Sequence, residues 1–190
     1  MATNNVNAKT LLVLGDSLSA AYNMQTAQGW VALMQQDLAK THPEINVVNA
    51  SISGETTSGG LTRLPELINR HQPEYIVLEL AANDGLRGTP INLIKNNLEK
   101  LITISEQANA KTLVVGVRLP PNYGPRYTTN FFNIFAALAE QYGTFRVPFL
   151  MDKVALNSEL MQADRLHPNA DAQPTILANV LPYVLEMLND

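Results

Sequence analysis

Apolar residues in this chain fall into short solid runs separated by longer stretches in which they recur every three or four positions. Leu11 to Leu14 is a solid run with the length of a buried strand, and it stops at Gly15-Asp16-Ser17, where the chain must turn. Further strands are predicted over Ile45 to Ala50, Tyr75 to Ala81, Thr112 to Val117 and Phe145 to Leu150. Pro148 suits an edge position for the last of these, because it has no N–H to give to a ladder. Trp30, Leu33, Met34 and Leu38 recur at helical spacing as far as His42-Pro43, and Leu61, Leu64, Leu67 and Ile68 mark a helix ending near His71. A long amphipathic helix is predicted from Pro90 to about Asn109, and others over Asn130 to Tyr142 and Asp171 to Asn189. Ser51 to Gly60 and Asn83-Asp84-Gly85 read as turns. Arg118 to Thr129 is too rich in Pro and Gly for regular structure, and its length suits a site wall or lid.

Strand and helix thus alternate five times with no repeat, linker or low-complexity tract. That alternation predicts an α/β fold: one three-layer α/β/α domain with a five-stranded parallel sheet, its strand order 2-1-3-4-5 by analogy with doubly wound folds. The domain is expected to span residues 1–190, with 1–8 a flexible N-terminal tail.

Composition narrows the chemistry. With 190 residues and 46% hydrophobic content the chain can bury a substantial core. A formal charge of −4, with 13 scattered Lys and Arg, gives no electrostatic footprint for nucleic acid. The absence of cysteine removes thiol nucleophiles, disulfides and thiolate metal sites together. Met1 to Ala8 carries neither the basic nor the apolar region of a signal peptide, and no segment approaches the ~18 apolar residues of a membrane span, so a soluble chain is expected.

Ser17 falls where the first strand is expected to give way to a helix, at the carboxyl edge of the sheet where such folds build their sites, so its hydroxyl is a candidate nucleophile. A serine nucleophile needs a base, and histidine is the usual one. Of three histidines, His42 and His71 end predicted helices just before a proline and read as caps for the last carbonyls. His167 stands instead in the non-helical segment Ala163 to Asn169, and Asp164, three residues earlier, can accept the proton of one ring nitrogen and leave the other to face a serine. The same segment also reads as a surface loop with an Asp cap. Donors for an oxyanion are offered by the Ser17 N–H, by Gly54 after the second strand and by the Asn83 amide after the third. Taken singly, Gly54 is equally a turn glycine and Asn83 a helix cap. Together, all five residues follow the ends of strands in one sheet.

These residues resemble the SGNH or GDSL hydrolase family, whose blocks carry Ser, Gly, Asn and His in this order: Gly15-Asp-Ser-Leu-Ser19, Gly54, Asn83-Asp84 and Asp164-x-x-His167-Pro168. Asn49 to Gly54, Asn83 to Gly88, Arg118-Leu-Pro, Asn122-Tyr-Gly124 and Asp171 to Pro174 look like the bacterial acyl-CoA thioesterase I, lysophospholipase and arylesterase subfamily. The resemblance implies a metal-free and cofactor-free hydrolase of esters and thioesters, with Ser17, Asp164 and His167 as triad and Ser17, Gly54 and Asn83 as oxyanion hole. It also implies a periplasmic or secreted location, with a cytoplasmic one as the alternative, and a loop from Asn83 to Pro90 that shifts when an acyl group binds. A small acyl ester or thioester is the expected partner, with no nucleic acid, no stable membrane insertion and a monomeric state. Leu86, Leu119, Pro121 and Tyr123 are the expected walls of an acyl groove, though each can equally pack within its own loop. A carbohydrate acetylesterase and a flavodoxin-like FMN-binding module are the alternatives. One block departs from the family: Ala81-Ala82 precedes Asn83 where Gly-x is usual, so a Cβ at Ala81 is expected to crowd the strand end or restrict φ. Ala21 likewise stands where relatives tend to have Gly.

Overall fold

The computed structural model describes residues 8–190, so the tail expected over 1–8 lies, apart from Ala8, outside the described residues. Five parallel strands, β1 (Lys9–Gly15), β2 (Ile45–Asn49), β3 (Tyr75–Glu79), β4 (Lys111–Val115) and β5 (Phe145–Val147), form one sheet in the order β2-β1-β3-β4-β5. Leu11 to Gly15 and all of β3 are buried, as solid apolar runs require in a sheet covered on both faces. The covering helices are α1 (Trp30–Thr41), α2 (Thr57–His71), the short α3 (Ala82–Leu86), α4 (Ile91–Gln107), α5 (Pro125–Tyr142) and α6 (Gln173–Asn189). α1 packs on α6, and α2 on α4 on α5, so each face carries its own helical layer. Trp30, Phe131 and Phe135 are the largest fully buried side chains.

The order reverses between β1 and β3, so the crevice at their carboxyl ends is the switch point where open α/β sheets place ligands. Four expectations are corrected. Asn83-Asp84-Gly85 is a helix, not a turn: Gly85 sits where a Cβ would meet Leu119 and Phe131, and its glycine serves close packing. Arg118 to Thr129 is partly regular, with a 3-10 turn over Pro121–Tyr123 and α5 beginning at Pro125, since proline is well placed at a helix's first position. β5 stops at Val147, three residues before the expected end, as Pro148 interrupts the ladder. His42 does end α1, but its ring nitrogen bonds the Thr41 hydroxyl, not the last carbonyls.

Candidate active site

Beyond Gly15 the chain makes a hydrogen-bonded turn over Asp16, not the helix expected after the first strand. The Asp16 carbonyl accepts from the Ser19 and Ala20 N–H groups (3.2 and 2.9 Å), while its side-chain Oδ1 accepts from Leu18 N–H (3.0 Å). Outside groups fasten the same turn: the Trp30 indole donates to Leu18 O (3.2 Å) and the Asn49 amide to Ser19 O (2.8 Å). Ser17 is left half-buried at the crest.

Its hydroxyl lies 2.9 Å from His167 Nε2, and His167 Nδ1 lies 2.7 Å from Asp164 Oδ2. A carboxylate only accepts, so Nδ1 carries the proton and Nε2 presents its lone pair to Ser17. Asp164 also builds its own loop, since Oδ1 accepts from the Leu166 and His167 N–H groups (2.9 and 3.0 Å). Burial pulls the Asp164 pKa upward, but those backbone bonds and the His167 ring outweigh it and hold the group at about 2. The loop is tied to the segment after Ser17 by Gln162, whose amide donates to Tyr22 O (3.0 Å) and Pro168 O (2.9 Å). The Tyr22 ring stands 4.4 Å from that of His167, centroid to centroid.

The expected oxyanion donors converge on the same crevice. Among the described residues, the N–H groups of Ser17 and Gly54 donate to no protein acceptor, and both residues line the groove over the site. Gly54 has φ +82, and a Cβ there would meet nothing within 4 Å, so its backbone angle, and not crowding, calls for glycine. Asn83 is different: its amide donates to Asp16 Oδ2 (3.0 Å) and to Glu55 O (2.9 Å), so both hydrogens are engaged. Ala81 takes a left-handed φ of 94 despite its Cβ and is fully buried, and Ala21, also buried, does the same at φ 57. The backbone at these two sites keeps the conformation glycine would take, with the strain borne locally.

A groove of about 1190 Å³ runs from Ser17 past Leu86, Leu119 and Pro121 to Phe132, Phe149 and Tyr183. Tyr123 stands outside its lining and donates its hydroxyl to Leu86 O (3.0 Å), which ties its loop to the end of α3. Among the described residues no group of three His, Asp or Glu side chains is placed to hold a metal ion, and no helix is long and apolar enough to cross a membrane.

Two carboxyls beneath Ser17 escape a reading of motifs. Asp16 is fully buried; burial raises its pKa, and the Leu18 N–H, the His167 charge and the Asn83 amide pull it back only to about 6. Glu79, also fully buried, is pushed well above the usual carboxylate range by burial and by the Asp16 charge. The visible signal for Glu79 is a lone carboxyl in the otherwise apolar run Tyr75 to Ala81.

Comparison with known proteins gives a consistent answer. Residues 13–173 match the GDSL-like lipase/acylhydrolase family. The chain is 46% identical to Esterase TesA of Pseudomonas aeruginosa over 188 residues, covering 99% of this chain and 94% of that protein. It is 45% identical to Thioesterase 1/protease 1/lysophospholipase L1 of Escherichia coli K12 over 169 residues, covering 89% of this chain and 80% of that one. Its fold superposes on the crystal structure of the psychrotrophic esterase EstA from Pseudoalteromonas with a TM-score of 0.91 at 43% identity, covering 96% of this chain and all of that one (100%). The switch-point crevice, the serine at its edge and a family match across most of the sheet agree that this chain belongs to the GDSL-like lipase/acylhydrolase family.

Proposed function

We propose that the chain hydrolyses carboxylic esters and thioesters through an acyl-enzyme on Ser17, with His167 as general base and acid and Asp164 as its orienting partner. The observation that carries this reading is the continuous hydrogen-bond chain Ser17 to His167 to Asp164, 2.9 and 2.7 Å long, set beside two unengaged backbone N–H groups. His167 Nε2 takes the Ser17 proton as Oγ attacks the acyl carbon, and the carbonyl oxygen becomes an oxyanion facing the Ser17 and Gly54 N–H groups. Asn83 shares with that oxygen the hydrogen it otherwise gives to Glu55 O. His167 then protonates the departing alcohol or thiol, and a water activated by the same nitrogen releases the acid. Asp164 keeps the ring in the required tautomer and stabilises its charged form.

The lining of the groove, with Leu119, Pro121, Phe132 and Phe149, suits an acyl chain better than a sugar ester, and Leu86, Leu119 and Pro121 are its proposed walls. Relatives named as an esterase and as a thioesterase and lysophospholipase support the substrate class, and family membership answers the flavodoxin-like alternative. One domain, a monomeric state and export to the periplasm complete the proposal, to be read by limited proteolysis, sedimentation and cell fractionation. A panel of p-nitrophenyl esters and acyl-CoAs tests the function. The wild type should hydrolyse both classes, with medium acyl chains preferred to acetyl, and Ser17→Ala should lose about 10⁴-fold or more in kcat. Near wild-type turnover by Ser17→Ala on either class defeats the assignment.

A further inference from the structure

Glu79 ends β3 directly opposite Gly15, the last residue of β1. Residues paired in parallel register send their side chains to the same face of the sheet, so the Glu79 carboxyl lies over Gly15. A Cβ on Gly15 would stand 2.9 Å from Glu79 Oε2 and equally close to the Ser19 side chain, which is why the turn opens on glycine. Oε2 meets the Asp16 N–H at 3.3 Å and the Ser19 hydroxyl at 2.7 Å. It therefore grips the residues on either side of Ser17 and Leu18, while Ser17 itself is not touched.

The carboxyl is in an unusual setting for a charge. Glu79 is fully buried, none of the ion pairs among the described residues includes it, and Oε1 has no hydrogen-bond partner at all. Its charged neighbour beyond the end of β1 is the buried carboxyl of Asp16, which repels a second negative charge. An ionised carboxylate with one naked oxygen in such a place would carry a large desolvation cost, whereas a protonated one loses far less.

We infer that Glu79 is a positioning residue which, as an uncharged carboxyl, clamps the Asp16 N–H and the Ser19 hydroxyl together and so fixes Ser17 Oγ against His167. The inference rests on Ser17 being the nucleophile. Freed of the clamp, the turn keeps its Asp16 and Leu18 bonds and the Asn49 amide on Ser19 O but loses its side-chain tie to β3. Displacements of about 1 Å at a reacting atom cost on the order of 10²-fold in rate.

Glu79→Ala, Glu79→Gln and Ser19→Ala test it, with Ser17→Ala run alongside. Two quantities are read per folded molecule: kcat and KM on a p-nitrophenyl ester, and the second-order rate of inactivation by diethyl p-nitrophenyl phosphate, which reports the reactivity of Ser17 alone. Glu79→Ala should lower kcat and the inactivation rate together by about 10²-fold with KM little changed. Ser19→Ala should lower both by roughly tenfold, and it serves as the test if Glu79→Ala does not fold. Glu79→Gln, with its carbonyl oxygen in the Oε2 position, should restore most of the loss. The inference is overturned if Glu79→Ala or Ser19→Ala leaves both rates at the wild-type level, or if Glu79→Gln falls as far as Glu79→Ala. Activity in Ser17→Ala would overturn the proposed function instead, and the two failures are thereby told apart.

Discussion

The two halves of the site are built in opposite ways. The half that carries Ser17, the proposed nucleophile, is dry: Asp16, Ser19 and Glu79 are buried, and bonds from Trp30, Asn49 and Asn83 fasten the turn from three further elements. The half that carries His167, the proposed base, is wet: the Asp164 side chain is 42% exposed, and its loop is held chiefly by its own hydrogen bonds and by Gln162. Carboxyls respond accordingly, Asp16 being raised to about 6 by burial and Asp164 lowered to about 2 by the hydrogen bonds it accepts. The oxygen proposed to attack thus sits on a rigid mount, while Asp164, the partner of the proposed base, stands open to solvent.

That contrast predicts an order of losses. Asn83→Ala should cost about 10²–10³ in kcat, because it removes the amide proposed to share a hydrogen with the oxyanion and also strips Asp16 of a donor. Asp164→Ala should cost less, about 10²-fold, since water reaches its place and can accept from Nδ1 in its stead. Single-turnover rates on one p-nitrophenyl ester rank the two. An Asp164 loss larger than the Asn83 loss would erase the distinction between a dry and a wet half.

Stability should divide along the same line when pH is changed. Asp16 holds its proton in the fold to about pH 6 but releases it near 3.8 when unfolded, so its contribution is full below about 3.8 and is lost as pH rises through 6. Asp164 has the opposite sign: its contribution is present above 3.8 and is lost as pH falls through about 2. Thermal unfolding midpoints against pH should change less between 4 and 6 in Asp16→Asn, the same-signed share of Glu79 remaining, and less below 4 in Asp164→Asn. Interchanged limbs would reverse the assignment of dry and wet settings.

The smallest effect is expected at Ala81. Its left-handed backbone costs roughly 1–2 kcal/mol relative to glycine. Ala81→Gly relieves that, but gives up a buried methyl worth about 0.8 kcal/mol and adds about 0.4–1 kcal/mol of unfolded-chain entropy. Denaturant unfolding should therefore differ from wild type by less than about 1 kcal/mol, with activity retained. A loss above about 2 kcal/mol would mean that the Ala81 methyl packs the start of α3, which carries Asn83.

Much of this is legible in the chain, and the reason differs by element. Leu11 to Leu14 and the break at Gly15 are local signals, and the five-strand alternation points to the class of fold, with the order β2-β1-β3-β4-β5 following by analogy. Asp164 and His167 are three residues apart, so their pairing needs only a turn. What the pattern does not disclose depends on distant neighbours. Gly85 reads as a turn residue because the Leu119 and Phe131 side chains that require its bareness come from elsewhere in the chain. Tyr123 reads as a groove wall because nothing local reveals its bond to Leu86 O. Glu79 and Asp16 meet across 63 positions, and a carboxyl's meaning there emerges only when the sheet brings them together.

The central claim is that Ser17 alone forms the covalent intermediate, driven by His167. Intact-mass and peptide mapping after reaction with diethyl p-nitrophenyl phosphate tests it most directly. One adduct per chain is predicted, carried on the peptide that contains Ser17, formed at a rate that drops sharply in His167→Ala and absent from Ser17→Ala. An adduct on any other residue, or equal labelling of Ser17→Ala, would contradict that claim.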